Sequence, residues 1–252
     1  MKSSLYRFIV AVSVLALASM ACGLALPGGS GAPVNPPPTA IVSGGDSGGG
    51  GESTQPPVDD GGGNQAGSKL LSDTFEGRSS NWGVGTDADY DVQYVDGALQ
   101  VKVIATNMKV YSGPNATTYQ NVHIEVDALN TGSDPKSAFG ILCNQQVIND
   151  KFYFAYITPS GEYGIVKAMF IDNDVELTSG TSDLIPQNAP SYRIGLDCAS
   201  NGALTLYVNG QMITSASDTE YSGGTIGVIA WSGDVDSGTT VSFDNFLVTA
   251  LP

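Results

Sequence analysis

From residue 69 to the end of the chain, apolar and polar positions alternate in short runs separated by turn residues. Residues 121–128 read Asn-Val-His-Ile-Glu-Val-Asp-Ala, which puts Val122, Ile124, Val126 and Ala128 on one side and His123, Glu125 and Asp127 on the other. That period of two predicts a strand with one face in a core and one in water. Residues 192–198 repeat the pattern, and Ser200-Asn201-Gly202 turns the chain into the apolar run 203–208. Asn209-Gly210 and Asp96-Gly97 then predict tight hairpins, because both central residues of such a turn need positive φ. Pro159-Ser160-Gly161-Glu162 joins 152–158 to 163–168 in a further expected hairpin, while 138–144, 225–231 and 240–249 read as strands. No segment carries a helical period. About ten or more short strands without helices predict two packed antiparallel sheets, an all-β sandwich in preference to a closed barrel.

The N-terminal third follows other rules. Lys2 and Arg7 precede an apolar run at 8–17, and Ala18-Ser19-Met20-Ala21 leads to Cys22. Charge, short apolar run and small residues in that order read as a secretory signal peptide over 1–21, too short to span a bilayer. A cysteine directly after the cut resembles a bacterial lipobox, although Ser19 stands where such motifs favour Leu. The expected product is a lipoprotein, extracytoplasmic and held at the bacterial membrane or cell surface by lipid on Cys22. Ordinary cleavage at the same bond would leave Cys22 a free thiol. Residues 22–68 are rich in Gly, Pro and Ser, with Pro36-Pro37-Pro38 and Gly61-Gly62-Gly63 among their runs. So little apolar surface cannot offset the entropy of ordering, so a disordered linker is expected, with the folded domain at 69–252. As a flexible coil of about 45 residues it would hold the domain ~35–40 Å from its anchor.

All 25 acidic residues follow Cys22, and two of the 10 basic residues precede it. So acidic a mature chain excludes nucleic acid as a partner and leaves the lipid as the only route to a membrane. With His123 the single histidine, a Ser-His-Asp triad or histidine-rich metal site is a poor fit. Cys143 and Cys198 both fall in strand-like runs; in an exported domain such a pair reads as a disulfide, with two unpaired buried thiols as the alternative.

Several short segments, in order, resemble the concanavalin A-like (laminin G-like, jelly-roll) lectin/glucanase superfamily. They are Ser72-Asp73-Thr74-Phe75, Trp82, Tyr94-Val95-Asp96-Gly97, Gly140-Ile141-Leu142-Cys143, Tyr153-Phe154-Ala155-Tyr156, Gly161-Glu162-Tyr163, Tyr207-Val208-Asn209-Gly210 and Phe243-Asp244-Asn245-Phe246. The resemblance implies a two-sheet jelly roll whose first and last strands are neighbours and whose curved sheet often holds sugar. That fold hosts lectins, glycosidases and adhesion modules alike, so it does not choose among them.

Three kinds of chemistry compete. Retaining glycosidases of this fold use Glu-x-Asp-x-x-Glu; Glu125 and Asp127 match its start, but Asn130 stands where the acid must be, and an amide cannot donate that proton. A 3-keto-glycoside hydrolase-like enzyme is a further alternative, without an assignable catalytic set. Sugar binding needs exposed aromatic faces and a few polar groups. The candidates are Trp231, Tyr153, Tyr156, Tyr163, Lys167 and Asn144, while Phe75 and Trp82 are assigned to the core. Calcium is the possible cofactor, through Asp73 and Asp244 if the terminal strands pair; Asp172-Asn173-Asp174 and Asp234-Val235-Asp236 offer further oxygens without the spacing of a calcium loop. The function expected is non-catalytic binding of a polysaccharide or cell-surface glycan. A structural or protein-binding adhesion module is the next reading.

Overall fold

The alternating runs become strands in the computed structural model, which describes residues 67–77, 80–131, 134–148, 150–169, 173–233, 235–236 and 238–252. The expected signal peptide, Cys22 and the linker to residue 66 lie outside the described residues, as do Asp172 and Asp234. Fifteen strands follow in chain order: β1 (Lys69–Asp73), β2 (Gly85–Thr86), β3 (Tyr90–Val95), β4 (Ala98–Val103), β5 (Lys109–Ser112), β6 (Val122–Asn130), β7 (Ala138–Gln146), β8 (Lys151–Ile157), β9 (Glu162–Ala168), β10 (Val175–Thr181), β11 (Ser191–Cys198), β12 (Ala203–Val208), β13 (Gln211–Ser217), β14 (Thr225–Trp231) and β15 (Thr239–Ala250). Among the described residues there is no helix.

The strands form two antiparallel sheets. One has nine strands in the order β13-β12-β11-β6-β15-β4-β3-β2, with β1 also paired to β15; the other has six, in the order β10-β9-β8-β7-β14-β5. The first and last strands are thus neighbours, with Asp73 opposite Phe246. Gly67 and Ser68, read from sequence as the end of the linker, are already hydrogen-bonded to Ala250. The two Asx-Gly hairpins form as their turn chemistry requires: Asp96, Gly97, Asn209 and Gly210 all have positive φ, between 51° and 79°.

Inward-facing side chains of both sheets make one core, and every strand's parity decides its contribution. From β6 come Val122, Ile124, Val126 and Ala128, from β11 Ile194 and Leu196, and from the facing sheet Phe139, Ile141, Tyr153, Ala155 and Ile157. Phe75 and Trp82 join it, 2% and 3% exposed. Their ring centroids are 5.0 Å apart, and Phe246 meets Trp82 edge-on at 4.9 Å. Cys143 of β7 and Cys198 of β11 form a disulfide that ties one sheet to the other, with 6.7 Å between Cα atoms.

Candidate functional site

The outward face of the six-stranded sheet is unusual in being apolar as well. Leu142, Phe152, Phe154, Val166, Ala168, Ile229 and Tyr111 form a second buried cluster there, against which Tyr156 packs. On β8 this is a consequence of parity: Phe152, Phe154 and Tyr156 point outward, while Tyr153, Ala155 and Ile157 point into the main core. The outward row ends in a pair of half-buried rings. Tyr156 meets Trp231, the last residue of β14, edge to face at a centroid distance of 6.1 Å. Glycine makes room for the first ring: Gly164 lies opposite Tyr156 on β9, and its missing Cβ would fall 2.5 Å from the phenol ring.

Two adjoining clefts share these rings. The larger, about 480 Å³, is lined by Tyr156, Tyr163, Trp231, Glu162, Glu176 and Lys136, among others. The smaller, about 310 Å³, lies against Lys109, Phe154, Asp174, Glu176 and the same two rings. Both sizes suit a small ligand or one stretch of a polymer. Lys109 is 4% exposed; its ammonium pairs with Asp174 and rests over the rings of Trp231 and Phe154, 5.2 and 5.4 Å from their centroids. Glu162 and Glu176 are exposed and take hydrogen bonds from the hydroxyls of Ser160 and Ser179. Burial, with help from the Glu176 and Glu162 charges, raises the pKa of Tyr156 above its ordinary value and keeps the phenol a neutral hydrogen-bond donor.

Trp231, Tyr156 and Tyr163 therefore line one cleft, with the Tyr163 hydroxyl 2.8 Å from the Cβ position of Gly180. The other candidate ligands are elsewhere. Tyr153 is fully buried; its hydroxyl donates to Asp218 at 2.6 Å and accepts from the Tyr221 amide at 3.0 Å. Lys167 is bound to Asp218 at 2.8 Å and Glu220 at 2.9 Å. Burial opposes it, but the bonds from Lys167 and Tyr153 hold Asp218 below the usual carboxylate range. Asn144 is 5% exposed and donates to the Tyr221 carbonyl. All three fasten the segment before β14 to β7–β9, a structural use that corrects the expectation of ligand contact. Conversely, no local pattern gives Glu162, Glu176 or Lys109 a binding role; the pairing of β5, β8, β9, β10 and β14 gathers them.

The calcium pair does not converge. Asp73 is 7% exposed, and both oxygens are engaged, one by the Phe75 amide at 2.8 Å and one by the Trp82 indole N–H at 2.9 Å. Asp244 pairs across the sheet with Asp127, on the outward face. With Asp73 directed inward and Asp244 outward, the two cannot ligate one ion. Among the described residues, no three His, Cys, Asp or Glu side chains are grouped to hold a metal.

The Glu125–Asp127 fragment lies on the outward face of the nine-stranded sheet. Arg193 reaches Glu125 and Asp127, at 3.2 Å each, and the Asn245 carbonyl at 2.8 Å. His123 bonds Asp197 at 2.6 Å and lies 3.4 Å from Glu125. The bond from Asp197 raises the His123 pKa; burial opposes it, and Glu125 adds to the rise. These side chains bond one another across β6 and β11, and Arg193 reaches on to β15.

No protein-family model matches the chain, and no curated protein matches it. Solved structures do share its fold. The carbohydrate-binding module CBM66 from Bacillus subtilis superposes with a TM-score of 0.55 at 13% identity, over 68% of this chain and 96% of that one. A Bacillus subtilis protein of unknown function with a galectin-like fold gives 0.55 at 13% identity, over 73% and 97%. The β-glucanase of Bacillus licheniformis gives 0.52 at 12%, over 75% and 100%. The fold is the concanavalin A-like jelly roll. Binding modules and hydrolases both occur among these neighbours, so the fold leaves function to the site.

Proposed function

We propose that this protein is a non-catalytic carbohydrate-binding module whose glycan lies in the clefts beside Tyr156 and Trp231, displayed outside the cell on a linker lipidated at Cys22. The observation that carries the reading is the half-exposed Tyr156–Trp231 pair, held at right angles with polar groups on either side. Aromatic faces cover the C–H surface of a sugar, and the flanking carboxylates and Tyr156 hydroxyl answer its hydroxyls. The spacing of the carboxylates supports binding over turnover. Glu176 lies opposite Val166, four residues along β9 from Glu162, an offset of about 14 Å at ~3.4 Å per residue. A retaining pair needs its carboxyls only ~5–5.5 Å apart and an inverting pair ~6.5–9.5 Å, both shorter than this backbone offset, so the side chains would have to lean toward each other for either.

The test is affinity electrophoresis of the purified full chain through gels containing neutral, amino-bearing and uronic polysaccharides. Retardation by one class, lost in Trp231→Ala, is the expected result. A folded chain that migrates freely through every gel, or that releases reducing ends from the polymer, sinks the proposal. Radiolabelled fatty acid should be incorporated by the wild type and not by Cys22→Ala; equal labelling removes the anchor from the account.

A further inference from the structure

The aromatic wall between the two clefts already accommodates a protonated amine. The Lys109 ammonium sits over Trp231 and Phe154 with Asp174 as its counter-charge, almost wholly buried. Such a contact is favourable because the ring quadrupole turns its negative face to the cation, and burial strengthens it. Across Trp231 and Tyr156, the larger cleft repeats the ingredients, and the amine in its lining, Lys136, is exposed rather than buried against the rings. Two rings stand beside Glu162 and Glu176, whose hydrogen-bond partners are the neutral hydroxyls of Ser160 and Ser179. Neither glutamate has a cationic partner among the described residues. Among the described residues, the exposed Lys136 at the rim is the one basic residue lining this cleft. Both carboxylates act on the Tyr156 phenol, so their field reaches the ring on which a sugar would rest. A sulfate or uronate placed there would lose hydration against two negative charges, whereas an ammonium would gain two partners and a π face.

From these contacts we infer that the cleft selects glycans carrying free amino groups. The inference rests on the carbohydrate-binding reading and narrows it to one ligand class. Glu162 and Glu176 are its specificity-determining residues, and Tyr156 with Trp231 its platform.

The experiment is calorimetric titration of the purified full chain with three β-1,4-linked hexamers that differ only at C2: glucosamine, N-acetylglucosamine and glucose. It is run at low salt, at a pH that protonates the free amine. The glucosamine hexamer should bind at least about five-fold tighter than the glucose hexamer, and the advantage should shrink as salt is raised. Glu162→Gln and Glu176→Gln should each bring the ratio of the two affinities toward one. Trp231→Ala should weaken the amino hexamer as well; if that hexamer binds the variant undiminished, the amine is held elsewhere on the acidic surface and the assignment fails. Equal affinity for all three, or preference for the glucose or N-acetylated hexamer, overturns the amine selectivity and leaves carbohydrate binding intact. No binding of any hexamer, by a chain shown to be folded, overturns the amine selectivity, and carbohydrate binding then stands or falls on the polysaccharide gels.

Discussion

The ring of Tyr156 occupies the space that a side chain at Gly164 would fill, with 2.5 Å between the phenol and the absent Cβ. The two residues face each other across β8 and β9, so the ring's pose depends on a neighbour that contributes no atoms. Gly164→Ala should force the phenol off the sheet and tilt it away from Trp231. We expect a stability loss of about 1–3 kcal/mol from the crowding and a larger proportional loss of glycan affinity. Chemical denaturation and titration on one preparation separate the two; unchanged affinity would show that the ring's pose is irrelevant to binding.

The two tryptophans should behave in opposite ways. Trp231 is part of the cleft, so Trp231→Ala should cost at least about ten-fold in glycan affinity, roughly 1.4 kcal/mol, with a stability loss, from the uncovered Lys109 ammonium, smaller than that of Trp82→Ala. Trp82 is buried against Phe75 and Phe246, so Trp82→Ala should destabilise the domain by about 3–5 kcal/mol. A folded Trp82→Ala sample should still bind. The reverse assignment of losses would contradict the placement of the two rings.

Asp73 acts as an acceptor for the indole of Trp82 and the Phe75 amide. Asp73→Ala leaves both donors without a partner in a buried place and should cost about 1–3 kcal/mol for each group so stranded. Chelator should leave the wild-type melting temperature where it is. A fall of several degrees in chelator would mean that a metal ion, bound by some other set of groups, supports the domain.

The Cys143–Cys198 bond joins the two sheets across a loop of 55 residues, for which chain entropy alone gives about 4 kcal/mol. Reduction of the wild type, or Cys143→Ala with Cys198→Ala, should lower the denaturation midpoint by a corresponding amount. Glycan binding under native conditions should survive, because neither cysteine borders the clefts.

His123 links stability to pH. Its bond to Asp197 raises its pKa above the ordinary 6.5 in the folded chain, against burial and with help from Glu125. A group raised on folding contributes fully below its unfolded value, and the contribution fades as pH climbs through the folded value. The wild type should therefore exceed His123→Gln in thermal stability by more at pH 5 than at pH 9. A gap that widens with rising pH would overturn the assignment.

The sequence by itself determined the all-β class, most strand positions, the Asn-Gly and Asp-Gly turns and the acidity, because each depends on a local period or on backbone conformation. On β6 a clean alternation also settled which side chains face the core. On β8 it could not: residues 152–157 are apolar on both faces, and only pairing with β7 and β9 decided that Tyr156 faces the cleft while Tyr153 is buried. Val175–Thr181, a polar edge strand without a clear period, was likewise illegible; it forms because β9 offers it a partner, and it brings Glu176 to the site. The pairing of Cys143 with Cys198 needed the two sheets to be stacked. The cleft is a property of pairing and stacking, since its residues come from β5, β8, β9, β10 and β14 and no stretch of chain contains enough of them to be recognised.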